Sequence, residues 1–477
     1  MEISSERLIG ILRQYNPWWN GRSVSGLPQW QRAAFREVYS WMQSPPAPRA
    51  VLLSGARQTG KTTLARQCIQ QLLADGVPPR NILYVTLDEP LLKLSDLDAI
   101  VALWQNSEPP EAGLRYLFLD EIQYARDWQT WLKLQVDFHP DQRILVTGSA
   151  TPLATERQES GVGRWHTIRL ATLSFYEYLR IRGIDDMRVP PFEDLSDIAA
   201  LPKSDLARIG ENAQALVPFF NEYLMRGGFP QCALVASVEI AQRLLREDIV
   251  DKVLKRDMTA IFGVRHIQEL EHLFLYLCLH DGGLLDMKAL CSSLHLNRQT
   301  VSNFLELLEA AHLIHRLRQY GYGKEVLRGK YKVYLTDAAI APSVLLRGRA
   351  MLEDATEMGQ AVETAVFKHL CTQYQGAGPR FSYWRGKGGV EVDVIAEFGG
   401  RIMPFEVKYR EQDTRGKNLR GIRQFCLERN VELGYVVTKR HSDFEVTPLA
   451  PDTEGRLLKI PAPLFCYWLG ESEIQTG

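Results

Sequence analysis

One eight-residue segment, GARQTGKT, restricts the architecture of this chain more than any other. It lies between a short apolar stretch and a helical pattern, which is the setting that a phosphate-binding loop requires. Its glycines let backbone N–H groups approach phosphate oxygens, and the helix that follows adds its dipole. An accidental glycine-rich turn is the alternative, which the flanking elements disfavour. The predicted nucleotide-binding residues are Gly55, Ala56, Arg57, Gln58, Thr59, Gly60, Lys61, Thr62 and Thr63.

The residues predicted to act on a bound nucleotide come from this loop and from a second apolar stretch, YLFLDE. Lys61 is expected to contact the β- and γ-phosphates, and Thr62 to bind Mg²⁺. Asp120 is expected to support the Mg²⁺ shell, while Glu121 orients and polarises the attacking water. Two acids that merely cap a strand are the alternative, which their spacing from the loop disfavours.

The first third of the chain alternates short apolar segments with helical patterns. This alternation is typical of buried parallel strands linked by helices, and it predicts an α/β fold with a doubly wound sheet. Thr147 or Ser149 ends one such segment and is a candidate to hydrogen-bond the attacking water or the γ-phosphate, an ordinary strand-end hydroxyl being the alternative. The predicted strands are Ala50–Gly55, Asn81–Leu87, Tyr116–Glu121, Arg143–Ser149 and, as a fifth candidate, Trp165–Leu173.

Length and composition indicate several domains without an overall charge bias. The 477 residues exceed what one core accommodates, and the net charge of −1 leaves nucleic-acid contact to local basic patches. Seven cysteines without a C-x-x-C pair favour reduced thiols over disulfides or zinc. With no signal-like N-terminus and no apolar run long enough to span a bilayer, we expect a cytoplasmic protein without a membrane partner.

Five segments together carry a family resemblance: GARQTGKTTLARQ, LDEIQ, LVTGSAT, GRWHTIRLATLSFYEYL and RGGFP. They resemble the prokaryotic AAA-type ATPases that have a C-terminal restriction-endonuclease-like domain, and the resemblance covers most of the chain. It implies an ATP site with Mg²⁺ that is usually completed by a neighbouring subunit of a homo-oligomer, a ring being one such arrangement. It also implies that Arg164, or alternatively Arg157, is an arginine finger that stabilises charge on the transferred phosphoryl group. A surface salt bridge is the competing interpretation of either residue, and Arg226 is a candidate second sensor.

The same resemblance and the helical patterns predict a multidomain α/β protein. Its core is a parallel-sheet P-loop ATPase, followed by a helical lid, a winged helix, and an α/β restriction-endonuclease-like domain with a C-terminal tail. The predicted ranges are 1–173 for the ATPase core, 174–265 for the lid, 266–345 for the winged helix and 346–477 for the last domain.

Basic residues in the predicted winged helix favour contact with DNA phosphate. A winged helix that binds a protein partner and carries a solvated basic face is the alternative. The exposed candidates on its third helix are Arg298, Gln299 and Asn303. Those on the wing are Arg316, Arg318, Lys324, Arg328, Lys330 and Lys332.

The segment EVDVIAEFGGRIMPFEVK predicts a hairpin that turns at Gly-Gly. Because side chains alternate across a strand, Glu406 and Lys408 are expected to share one face. With Asp393 thirteen residues before Glu406, the spacing resembles the PD-(D/E)XK nuclease signature, although Val392 stands where the fullest pattern has proline. Glu363 lies on an otherwise apolar helix face and therefore needs a partner.

This pattern predicts a metal-dependent phosphodiester-cleaving site. Glu363, Asp393 and Glu406 are the candidate Mg²⁺ ligands, and Lys408 would position or activate water. The alternative is a nuclease-like fold that binds without cutting, in which Glu406 and Lys408 form a salt bridge. A helix beyond the hairpin is expected to face DNA phosphate with Lys417, Arg420, Arg423 and Gln424.

Two functions remain open at this point. The first is an ATP-hydrolysing protein that binds DNA, with cleavage or remodelling as the associated activity. The second is a signalling switch in which ATP controls the oligomeric state and the C-terminal domains bind protein partners. Salt-dependent DNA binding separates them, because the switch predicts none.

Overall fold

The computed structural model describes residues 4–149, 163–185, 187–192, 194–260, 262–321, 323, 326, 330–411, 419–451 and 453–476. Four predicted cationic residues lie outside these ranges: Arg157, Lys324, Arg328 and Lys417.

The N-terminal part contains a five-stranded parallel sheet with the strand order β2-β3-β4-β1-β5. The predicted parallel α/β core is therefore confirmed. The last strand is shorter than expected, because the chain leaves the sheet after Arg169 and the Leu173 N–H bonds instead to the Gly228 carbonyl, at 2.6 Å. The strands are β1 (Ala50–Ser54), β2 (Ile82–Thr86), β3 (Arg115–Asp120), β4 (Gln142–Gly148) and β5 (Trp165–Arg169).

The N-terminal segment covers the edge strand β2. The Asn16 side-chain amide donates to the Tyr84 carbonyl at 2.8 Å and accepts from the Tyr84 N–H at 2.7 Å, as a neighbouring strand would. This pairing protects an edge that would otherwise offer free backbone groups. The helices around this sheet are Ser5–Tyr15, Phe35–Gln43, Lys61–Ala74, Pro90–Lys93, Leu97–Ser107 and Trp128–Phe138.

The region after Ser174 is helical, as the sequence predicts. Its aromatic side chains share one apolar core with the C-terminal part; Phe175 and Phe220, for example, belong to the same buried cluster as Phe405 and Phe465. The helices are Phe175–Ile181, Leu195–Ile198, Lys203–Ala213, Val217–Arg226, Pro230–Leu234, Val238–Leu244, a π-helical segment Leu245–Asp257, and Met258–Ala260.

A second, nine-stranded sheet spans the two remaining predicted domains, with the order β13-β14-β12-β11-β10-β9-β7-β8-β6. Strand β7, from the predicted wing, pairs in parallel with β9 through Arg318–Ser382 and Gln319–Tyr383. The two predicted domains therefore share one sheet. Its strands are β6 (Gly283–Leu285), β7 (Ile314–Gln319), β8 (Tyr331–Leu335), β9 (Arg380–Arg385), β10 (Glu391–Phe398), β11 (Arg401–Lys408), β12 (Leu433–Thr438), β13 (Glu445–Pro448) and β14 (Arg456–Pro461).

The predicted hairpin is present as β10 and β11, which pair antiparallel around Gly399 and Gly400. Both glycines have positive φ, a conformation that glycine adopts without steric cost. No helix in the part of the chain that the structure describes is long and apolar enough to cross a bilayer. The helices that accompany the second sheet are Ile267–Leu279, Met287–Leu294, Arg298–Ala310, Ile340–Val344, Ala355–Gln373, Arg420–Arg429 and Ala462–Thr476.

Candidate nucleotide site and carboxylate cluster

The segment Gly55–Thr62, called the nucleotide loop below, connects β1 to helix Lys61–Ala74. Gly55 is held so closely that a Cβ atom there would lie 2.2 Å from the Leu170 carbonyl oxygen. Gly60 has a φ of +99° and precedes the first helical residue. Both positions therefore require glycine, and together they place backbone N–H groups at a helix N-terminus, where anions bind.

Lys61 points back into the loop. Its Nζ donates to the carbonyl oxygens of Gly55 and Ala56, at 2.8 and 2.7 Å. Only 4% of the residue is exposed, and this burial lowers the pKa of its ammonium. Phosphate oxygens placed on the loop would offer the ammonium ionic acceptors in place of these neutral carbonyls.

Asp120 lies at the end of β3 among hydroxyl groups. Its Oδ2 accepts from Thr62 Oγ1 at 2.8 Å and from the Tyr84 hydroxyl at 2.9 Å, and Thr147 Oγ1 donates to its Oδ1. Burial raises the pKa of Asp120. A carboxylate beside the Thr62 hydroxyl is an oxygen-only donor set, which fits Mg²⁺.

Glu121 follows in a left-handed conformation, with a φ of +56°. Its Oε2 accepts from Ser149 Oγ at 3.2 Å, and Gln123 Nε2 donates both to this oxygen and, at 2.9 Å, to Ser149 Oγ. Thr147 instead donates to Asp120 and accepts from the Glu121 N–H at 3.1 Å. Of the two candidate hydroxyls, Ser149 is thus the one beside the carboxylate that is predicted to polarise water.

Sequence reasoning missed an ion pair that connects the nucleotide loop to the helical region. Arg57 forms a bidentate ion pair with Asp257, in which Nη2 lies 2.5 Å from Oδ1. Arg57 also donates to the Tyr124 hydroxyl at 3.1 Å. Asp257 ends the π-helical segment, 200 residues further along the chain. At that separation, no local pattern identifies the two residues as partners.

A second missed residue, Arg32, bonds to the backbone of the loop. Its Nη1 donates to the Thr59 carbonyl at 2.6 Å, and its Nε and Nη2 bond to Glu177 at 2.9 and 3.1 Å. Burial alone would raise the pKa of Glu177, but the Arg32 guanidinium and these hydrogen bonds hold it below the usual value. Glu177 also caps its own helix through Ser174, so the loop is tied to the start of the helical region.

A third contact reaches the strand before the loop from the predicted winged helix. His312 Nε2 lies 3.0 Å from Ser54 Oγ, at the end of β1. Burial and the nearby Lys61 ammonium lower the pKa of His312 to about 3, so its imidazole is neutral at pH 7. The turn before β7 therefore lies against the strand that leads into the nucleotide loop.

The two arginines predicted to sense nucleotide form local contacts. Arg164 Nε pairs with Asp137 at 2.7 Å, and 40% of its side chain is exposed, as in the surface salt-bridge interpretation. Arg226 is buried and donates to the carbonyls of Val235 and Ala236, at 2.7 and 3.2 Å. Action of Arg164 across a subunit boundary stays a prediction, and Arg226 bonds to its own helical region rather than to the loop.

The hairpin of the second sheet and helix Ala355–Gln373 bring Asp393, Glu406, Lys408 and Glu363 together, as the sequence predicts. Lys408 Nζ pairs with Glu406 Oε1, so these two side chains share a face. The Val407 N–H donates to Asp393 Oδ2 at 2.9 Å. Glu391 lies at the same end of β10, and we call Glu363, Glu391, Asp393 and Glu406 the carboxylate cluster.

A second lysine lies among the acids of this cluster. Lys332 Nζ lies 2.8 Å from Glu363 Oε1, 2.8 Å from Asp393 Oδ1 and 3.2 Å from Glu391 Oε1. The prediction that Lys332 belongs to an exposed basic wing is therefore wrong: its side chain is 3% exposed, because β8 turns it inward against the acids. Two other wing residues also form ion pairs, Arg316 with Glu309 at 2.6 Å and Lys330 with Asp286 at 2.7 Å.

Burial dominates the electrostatics of the cluster. Burial and the Asp393 charge raise the pKa of Glu406 to about 8, and the Oε2 atom of Glu406 has no hydrogen-bond partner among the described residues. Burial also raises the pKa of Glu363, whereas Lys332 holds the pKa of Asp393 below its usual value. Within the described ranges, no group of three His, Cys, Asp or Glu residues is arranged to hold a metal ion. With the Lys332 ammonium between them, these acids do not fit a divalent cation.

A basic cleft of about 480 Å³ lies beside the cluster, along helix Arg420–Arg429. Lys387, Arg420, Arg423 and Gln424 contribute to its walls, together with Glu428. A Cβ atom at Gly421 would lie 2.1 Å from the Glu391 carbonyl oxygen, so the helix and the start of β10 are in close contact. The residues expected to face phosphate on this helix therefore border a cleft.

Three family models match separate parts of the chain. Residues 47–179 match an AAA domain, and residues 218–350 and 358–451 match two domains of unknown function, DUF8612 and DUF4143. An uncharacterized protein of Haemophilus influenzae is 26% identical over 368 residues, which cover 75% of this chain and 82% of the relative. An uncharacterized protein of Methanocaldococcus jannaschii is 24% identical over 360 residues, covering 74% of each chain.

Two solved structures resemble parts of this chain at low TM-scores. The Aeropyrum pernix ORC1 protein in complex with DNA is 14% identical, with a TM-score of 0.31 over 67% of this chain and 93% of that chain. The S. cerevisiae Hsp104:casein complex is 15% identical, with a TM-score of 0.29 over 71% of this chain and 58% of that chain. The matched domain and the nucleotide loop together define residues 47–179 as an AAA-type P-loop domain.

Proposed function

We propose that this protein is a Mg²⁺-dependent ATPase that binds DNA through its C-terminal half and couples the two by direct contacts. The observation that carries the ATPase assignment is the set of groups around the nucleotide loop. Lys61 lies inside the loop, Thr62 bonds to Asp120, and Ser149 bonds to Glu121. Each residue type suits the step that it would perform on a nucleoside triphosphate.

In the proposed reaction, the loop N–H groups and Lys61 bind the phosphates and stabilise the charge that develops on the γ-phosphoryl group. Thr62 and Asp120 would hold Mg²⁺, which would supply positive charge against the phosphates. Glu121, oriented by Ser149, positions and polarises the attacking water. Arg164 of a neighbouring subunit is the proposed finger in a homo-oligomer, for which a ring is one arrangement.

Three contacts of the loop and of the residues beside it support coupling to the rest of the chain. Asp257 and Glu177 belong to the helical region and bond to loop or loop-supporting arginines, and His312 belongs to the segment that leads into the second sheet. A loop that rearranges around phosphate changes the geometry of all three contacts. We propose that the nucleotide state thereby alters the position of the second sheet and the exposure of its cleft.

The basic cleft supports DNA as the partner of the C-terminal half. Lys387, Arg420 and Arg423 place three cationic side chains around one cavity, which suits a phosphate backbone. Metal-dependent cleavage by Glu363, Asp393, Glu406 and Lys408 stays a prediction, and the position of Lys332 argues against it in this conformation. The alternative is a switch whose C-terminal half binds a protein.

Salt dependence of DNA binding tests this proposal. We expect the full-length protein to bind duplex DNA with an affinity that falls as salt rises. Replacing Arg420 and Arg423 with Ala should reduce the log–log slope by about 0.9 for each phosphate that these side chains no longer neutralise. Arg298→Ala, at an exposed position of the predicted third helix, compares the winged-helix surface with the cleft and should leave the slope unchanged if the cleft alone binds DNA. Absence of DNA binding at low salt, with or without ATP, would favour the protein-binding switch.

A further inference from the structure

The buried ammonium of Lys332 has no role in the proposed function. Its ammonium has three carboxylate partners, one each from Glu363, Glu391 and Asp393, within 3.2 Å. An ammonium has three N–H donors, so this arrangement can satisfy all of them. Burying such a group is unfavourable unless its charge is compensated, and here three acids surround it.

Lys332 lies in the predicted winged helix, whereas the three acids lie in the predicted C-terminal domain. Lys332 lies on β8, paired with Leu317 of β7, and β7 in turn pairs with β9. The Tyr334 hydroxyl, two residues on, donates to Glu363 Oε1 at 2.6 Å. Strand pairing and this hydrogen bond both hold the side chain at the cluster.

A divalent cation and this ammonium compete for the same oxygen atoms. Mg²⁺ would require carboxylate oxygens at about 2.0–2.1 Å, and Glu363 Oε1 and Asp393 Oδ1 already contact Lys332 Nζ. We propose that Lys332 is a tethered cation that takes the place of a divalent metal ion in the carboxylate cluster. While β8 stays paired in the sheet, this position therefore holds no divalent metal ion. On the proposed function, the C-terminal half then binds DNA without a metal ion in the cluster.

This inference does not depend on ATP hydrolysis, and Mn²⁺ binding to the full chain without nucleotide tests it. Electron paramagnetic resonance counts the bound ions in the parent and in Asp393→Asn. We expect equal counts, because the cluster contributes no metal site in the parent. Lys332→Met should add about one Mn²⁺ per chain, and Asp393→Asn combined with it should remove that ion.

Lys459 offers a matched control. It is equally buried, at 3% side-chain exposure, and it lies in the same sheet, but it pairs with the single carboxylate of Glu445 at 2.9 Å. Lys459→Met should therefore add no Mn²⁺ site. If it adds one as Lys332→Met does, loss of any buried lysine suffices and the assignment to the cluster fails.

Two results would overturn the proposal. One is a parent protein that binds an Mn²⁺ ion which Asp393→Asn removes. The other is a folded Lys332→Met protein that binds no more Mn²⁺ than the parent. Should Lys332→Met fold only when Mn²⁺ is present, the proposal is supported, because the ion then replaces the missing ammonium. If Lys332→Met folds neither with nor without Mn²⁺, the Mn²⁺ counts of the parent and of Asp393→Asn decide. Equal counts support the proposal, and a lower count in Asp393→Asn overturns it.

Discussion

The two acidic centres of this protein use similar residues in different surroundings. At the nucleotide loop, Asp120 is surrounded by hydroxyl groups, and the nearby Lys61 donates to backbone carbonyls. In the carboxylate cluster, Lys332 and Lys408 bond directly to the acids. The first arrangement keeps oxygen ligands and an ammonium available for a phosphate and its metal ion. The second neutralises its acids internally.

The comparison shows that an acidic motif does not define a metal site by itself. Both centres match a motif that is associated with Mg²⁺, and both include a buried tyrosine hydroxyl bonded to a carboxylate. What differs is the source of positive charge. If this difference separates a catalytic centre from a structural one, variants at the two centres should have different effects.

Lys61→Ala should abolish measurable ATP hydrolysis. It removes the ammonium that stabilises charge on the transferred phosphoryl group, and decreases on the order of 100-fold or more follow the removal of one such group. Steady-state phosphate release measures the effect. Lys203→Ala, at an exposed position of helix Lys203–Ala213, is the control and should hydrolyse at the parent rate. If the Lys61→Ala protein hydrolyses ATP at the parent rate, the loop is not the catalytic centre.

Glu121→Gln and Glu406→Gln compare the two centres directly. The first should retain ATP binding but slow hydrolysis by about 100-fold, because a carboxamide is a poor group for polarising water. The second should leave hydrolysis unchanged, since Glu406 lies in the other sheet. Nucleotide binding by fluorescence and phosphate release, measured on both variants, separate binding from chemistry. Equal hydrolysis by the two variants would contradict the assignment of Glu121.

Acidification should weaken the contact between the halves of the molecule. The pKa of His312 is lowered to about 3, so between pH 3 and 6.5 the unfolded state binds a proton there that the folded state does not. His312 thus contributes stability that decreases as pH falls, by about 1.4 kcal/mol per pH unit. Urea denaturation from pH 6.5 to 4 should show a shallower decrease in His312→Gln. The exposed His272→Gln is the control, and an unchanged slope in His312→Gln would refute the prediction.

The two buried tyrosines should give the smallest effects, and of different kinds. Tyr334→Phe removes a donor to Glu363 and should lower the unfolding free energy by about 1–2 kcal/mol without changing ATP turnover. Tyr84→Phe removes a donor to Asp120 and should alter ATP turnover as well as stability. Denaturation and phosphate release on both proteins make the comparison. A change in turnover caused by Tyr334→Phe would show that the cluster acts on the nucleotide site.

Local patterns in the sequence predicted much of this fold. The loop, the parallel strands of the first sheet and the hairpin around Gly399 and Gly400 follow from periodicity and glycine placement over a few residues. The face shared by Glu406 and Lys408 follows from strand alternation. All of these features depend on neighbours in the chain, which is where sequence reasoning is strongest.

The contacts that local patterns could not predict join distant segments. Arg57 and Asp257, or Lys332 and Asp393, become partners only after the sheets and helices have assembled. Lys332 lies among other basic residues, and that composition favoured an exposed wing. One signal was present: the YKVYL segment has the alternation of a strand, so its lysine must face one side of a sheet. Which side it faces depends on β9, almost 50 residues later.

The pairing of β7 with β9 also governs how this protein can be dissected. A fragment that begins after residue 345 would retain β9 but lack β7, and it would also lack the ammonium that neutralises its buried acids. Such a fragment would expose an unpaired strand edge, which favours aggregation. A fragment that ends at residue 345 would leave Lys332 without its three carboxylates. Expression of the two parts as separate soluble units should therefore fail. A fragment that begins near Ile267 retains all nine strands of the second sheet but lacks the helical region that shares its apolar core.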